Sequence, residues 1–63
     1  MFDNSITEIN YYSNLAKEVL KSKPYDPSAQ NVVFYAEQSI LALNRRDYLG
    51  FRKLRAQVLG YSL

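Results

Sequence analysis

The side chains that most often carry out chemistry are scarce in this sequence. The 63-residue chain contains no cysteine and no histidine. A nucleophilic Ser or Cys needs an oriented base beside it, and the usual base is histidine. Thiol chemistry, imidazole acid–base chemistry and the commonest zinc ligand sets are therefore excluded together. Ser–Lys chemistry survives formally, but Ser5, Ser13, Ser22, Ser28, Ser39 and Ser62 read more simply as caps, helix surface or tail. Glu8 and Glu18 stand too far apart on one helix to share an ion or flank a substrate bond. The only glycines, Gly50 and Gly60, do not form a phosphate-cradling loop. The expectation is a protein that is not an enzyme and needs no cofactor or metal.

What remains is charge and aromatic surface. The net charge is +2, too small to mark a nucleic-acid binder by itself. Its distribution is uneven. Residues 1–43 hold Lys17, Lys21 and Lys23 against Asp3, Glu8, Glu18, Asp26 and Glu37, whereas residues 44–63 hold Arg45, Arg46, Arg52, Lys53 and Arg55 against Asp47 alone. Five bases interleaved with Tyr48 and Phe51 could follow a phosphate backbone, although a solvated basic surface is the plainer reading. Six tyrosines and three phenylalanines add residue types that are enriched at protein interfaces.

These residues must be positioned by helices. Ser5-Ile6-Thr7-Glu8 is an S-x-x-E capping box, so a helix is expected from Ile6 to Ser22. Its apolar face at ~100° per residue would be Ile6, Ile9, Tyr12, Leu15, Ala16, Val19 and Leu20. Pro24-Tyr25-Asp26-Pro27 breaks the pattern, and Asp26-Pro27 reads as an N-cap with proline at the first helical position. A second helix is expected over 27–43, with Ala29, Val32, Val33, Ala36, Ile40 and Leu43 inward.

Residues 44–47 contain neither Pro nor Gly, so they either turn or continue one long helix. Continuation would place Asp47 and Gly50 in an apolar seam, which favours a turn with Asn44 near the C-cap and Asp47 capping a third helix over 48–59. That helix would bury Phe51, Leu54 and Val58, with Tyr61 beyond it, and Gly60 suits the C′ position. No strand pattern or repeat is visible. The fold expected is all-α, a small three-helix bundle or a helical hairpin plus an arm, in one domain spanning 1–63.

A domain of this size buries roughly 60% of its unfolded surface and is marginally stable, so docking on a partner is an expected aid. Residues outside the core stripes are the candidates. Phe34 and Leu41, seven apart, lie roughly opposite the inward face of the second helix. Tyr48, Arg52, Arg55 and Leu59 form one stripe beside the core of the third. The alternative is intramolecular, because the middle helix of a bundle touches both neighbours and can bury Phe34 and Leu41. The leading expectation is a small regulatory or adaptor protein acting by protein–protein contact, as an inhibitor or a homodimer among other forms. A small nucleic-acid-binding protein using the basic C-terminal third, or a structural subunit of a larger assembly, are the rival readings.

Met1–Asn10 has two acids and no base, unlike a secretory signal, and no apolar run approaches the ~20 residues of a membrane span. A cytoplasmic protein without membrane contact is expected. The Arg46-Asp47-Tyr48 turn faintly resembles that of a tetratricopeptide hairpin, except that Phe51 stands near a position where that repeat takes a small residue. Leu43 to Tyr48, with Leu59-Gly60 beyond, is slightly similar to the helical hairpin of small sporulation kinase inhibitors. Neither likeness supplies a site or a function.

Overall fold

The sequence forms three helices in the computed structural model, which describes residues 3–61. Ser62 lies outside the described residues. In chain order the elements are α1 (Asp3–Ser22), α2 (Pro27–Asn44) and α3 (Tyr48–Leu59), with no strand among the described residues. They make a small three-helix bundle of 35 × 17 × 17 Å. α2 packs extensively on both neighbours, whereas α1 and α3 touch each other far less. No helix among the described residues is long and apolar enough to cross a membrane.

Local chemistry explains both joints. At the first, Asp26 caps α2 through its carboxylate, which accepts from the Ala29 N–H at 3.2 Å, and Pro27 fills the first helical turn, where an N–H would be orphaned. The second joint is a turn. α2 ends at Asn44, and the Arg46 N–H then donates to the Leu43 carbonyl at 3.0 Å while the Asp47 N–H donates to the Ala42 carbonyl at 2.8 Å. This is the paired 5→2 and 6→1 arrangement of a Schellman motif, with Arg46 in the left-handed position at φ 61°. Asp47 at once caps α3, its carboxylate accepting from the Gly50 N–H at 3.0 Å.

Gly50 makes that cap possible. A Cβ at residue 50 would stand 2.7 Å from Asp47 Cγ, so any larger residue displaces the capping carboxylate. Gly60 does not take the left-handed C′ role expected of it. It is the C-cap of α3 at φ −80°, and its N–H donates to the Ala56 and Gln57 carbonyls. Among the described residues the left-handed position is taken by an arginine, Arg46, in the turn between α2 and α3.

α1 also departs from expectation. It begins at Asp3, so Ser5 lies inside the helix rather than capping it. The Glu8 carboxylate, expected to reach back to the Ser5 N–H, instead accepts from Arg55 on α3 at 2.7 Å. A charged donor across the bundle is the stronger competitor.

The core is centred on Ile9, Val32, Phe51 and Val58, with Ala16, Ala29, Ala36 and Ala42 between them. Ser13 and Ser39 are buried among these residues, and the Ser39 hydroxyl donates to the Ala36 carbonyl at 2.7 Å. Leu15, expected inside, is 38% exposed. Ser13 lies inward instead, beside Ala16, which is buried as expected; short residues let helix axes approach closely. Ile6 and Ile40 are half-buried. On α3, Phe51 and Val58 are buried as expected, and Leu54 and Tyr61 pack against the core from its edge. Tyr61 stacks on Tyr35 of α2 with ring centroids 6.3 Å apart.

Candidate partner-binding surface

Phe34 and Leu41 project from α2 on the side away from Ala29, Val32, Ala36 and Ser39. Although α2 does touch both neighbours, Phe34 stays 54% exposed and Leu41 46% exposed. The Phe34 ring is held against Tyr35 in an edge-on contact, with centroids 5.5 Å apart. Leu41 forms one rim of a shallow groove between α1 and α2, floored by Ser13, Ala36 and Ile40 and edged by Asn10, Lys17 and Glu37. The face thus has apolar anchors and a rim carrying both signs of charge.

The second expected group does not join the first. On α3, Tyr48 and Arg52 are exposed, but Leu59 is half-buried and Arg55 turns toward α1 to pair with Glu8. The stripe 48–52–55–59 therefore borders α1 on its Glu8 flank, whereas Leu41 borders α1 on its Asn10 and Lys17 flank. α1 stands between them. The six residues make two separate surfaces.

One exposed residue escaped the sequence reading. Leu49 is 64% exposed on the outer side of α3, with Arg52, Lys53 and Ala56 also exposed. The spacing 49, 52, 53, 56 is i, i+3, i+4, i+7, a helical face visible in the sequence once Phe51, Leu54 and Val58 are assigned inward.

The cations sort into engaged and unengaged sets. Lys21 pairs with Glu18 at 2.9 Å and Arg55 with Glu8, whereas Lys17, Lys23, Arg45, Arg46, Arg52 and Lys53 have no ion pair among the described residues. No group of three or more metal-ligating side chains occurs among the described residues. No family model, curated protein or solved structure matches the chain.

Proposed function

We propose that this chain is a small, non-catalytic regulatory or adaptor protein that works by docking a protein partner on the outer face of α2. The observation that carries the reading is the exposure of Phe34 and Leu41, two large apolar side chains on one face of the helix that also holds the core together. Burying such a pair on a partner returns about 25 cal/mol for each Å² removed from water. An exposed aromatic ring beside a shallow groove that Leu41 rims, with polar residues at its edge, matches the anatomy of protein–protein contacts. A composition without Cys or His supports a role in binding rather than in covalent or metal-assisted catalysis.

The test uses Leu41→Glu and Phe34→Ser, each read by thermal melting and by association. Association is followed through sedimentation of the purified protein and through a photo-crosslinker placed at residue 34 in the native cell. The expected result is a cooperative melt close to that of the parent, with self-association or crosslinking lost. Unfolding by Leu41→Glu would make the residue part of the core. Unchanged association with intact folding would move the docking face elsewhere.

A further inference from the structure

We infer that the outer face of α3 is a second binding site, for an acidic amphipathic helix of a protein partner. The inference does not rest on the α2 face, from which it is separate. Leu49, Arg52, Lys53 and Ala56 share one face of α3, all of them exposed, with Leu49 the most open leucine among the described residues. Arg45 and Arg46 stand at the same end, in the turn that leads into α3. Neither Asp47 nor Glu8 forms an ion pair with these cations. Asp47 accepts from the Gly50 N–H, and Glu8 accepts from Arg55. At this end Arg45, Arg46, Arg52 and Lys53 have no ion pair among the described residues, and Arg52 and Lys53 flank the apolar line of Leu49 and Ala56.

That combination selects the ligand. A phosphate backbone would be met by the cations alone, and its affinity would come from counterion release with no use for Leu49 or Ala56. An amphipathic helix with a leucine ridge flanked by carboxylates meets both features at once. Its ridge covers Leu49 and Ala56, while its carboxylates reach Arg52 and Lys53 on either side. The small Ala56 leaves room for a large apolar side chain from the partner. Charge of this sort sets the orientation and speed of docking, and the apolar centre sets how long the complex lasts.

The experiment is a titration of the isotope-labelled full chain with a short helical peptide carrying Leu on one face and Glu along both flanks. Polyglutamate of equal length and a short duplex DNA serve as comparison probes. The expected result is amide shifts centred on residues 45–56, with affinity for the Leu/Glu peptide at least about tenfold above that for either comparison probe. Arg52→Glu combined with Lys53→Glu should remove the binding while the melting curve is retained. Leu49→Ser should weaken the peptide and leave polyglutamate unaffected, which keeps a readout if the charge-reversed chain fails to fold. Equal or tighter binding of DNA or polyglutamate would overturn the inference in favour of simple anion attraction. Shifts centred on α2, or a Leu49→Ser variant that binds the peptide as well as the parent does, would overturn it too.

Discussion

Glu8 on α1 and Arg55 on α3, 47 positions apart in sequence, are joined by a 2.7 Å contact between Oε1 and Nη2. It ties together the two helices that otherwise pack on each other least. The side chains are 42% and 36% exposed, so water screens much of the attraction. A double-mutant cycle of Glu8→Gln and Arg55→Gln, followed by chemical denaturation, should return a coupling of about 0.5 kcal/mol that shrinks as salt is added. A coupling near zero at low salt would mean that the pair adds nothing to holding α1 against α3.

Asp47 and Gly50 form a coupled pair of another kind. Gly50→Ala gains about 1 kcal/mol of helix propensity but displaces the Asp47 carboxylate, whose loss costs about 0.5–2 kcal/mol. The single variant should therefore melt close to the parent. In an Asp47→Ala background the cap is already gone, and the same Gly50→Ala change should stabilise by about 1 kcal/mol. If Gly50→Ala stabilises equally in both backgrounds, the cap and the glycine are independent.

Arg46 holds a left-handed backbone that costs an L-residue roughly 1–2 kcal/mol. Arg46→Gly relieves this but frees the unfolded chain, leaving a net gain of about 0.5–1 kcal/mol. For so small a domain that is a rise of several degrees in Tm. The β-branched Arg46→Val should lower Tm instead, and matching effects from the two would refute the left-handed assignment.

The core assignment separates three substitutions. Phe51→Ala removes a fully buried ring and should cost about 3–5 kcal/mol, enough to unfold the chain. Leu54→Ala, half-buried at the core edge, should cost roughly 1–2 kcal/mol, less than full burial would give. Leu15→Ala should cost under about 1 kcal/mol because much of that side chain already meets water. Urea denaturation of the three variants checks the order, and a Leu15→Ala loss comparable to that of Phe51→Ala would reverse it.

The boundaries of α2 and α3 were legible because their signals are local. Asp26-Pro27 and Asp47 announce helix starts within a few residues, and the structure uses both as caps. The start of α1 was not legible, because the acid of its capping box is claimed by an arginine that only the fold brings near. Its inward face matches the expectation at Ile9, Tyr12, Ala16, Val19 and Leu20 and departs from it at Ser13 and Leu15, for a different reason. Hydrophobic periodicity favours Leu15 over Ser13, but where helices approach closely a short side chain fits and a long one does not. The same blindness covers Ser39, fully buried in the middle of α2. On the candidate surface, Phe34 and Leu41 could be read as off the core stripe, while their openness depended on how neighbours pack. Arg55 was placed with Tyr48 and Arg52 by spacing alone, and spacing does not reveal an acid on another helix.

α2 lies between helices that lean on it more than on each other, and its packing on α3 is the more extensive of the two. Both joints are short, so the contacts on either side of α2 link residues close in sequence and the conformational search is brief. Helical domains dominated by such contacts fold in microseconds to milliseconds. α1, the less extensively held of the two outer helices, is therefore the one expected to detach first. Its amide hydrogens should accordingly exchange with solvent ahead of those in the middle of α2, through an opening that releases only the first third of the chain.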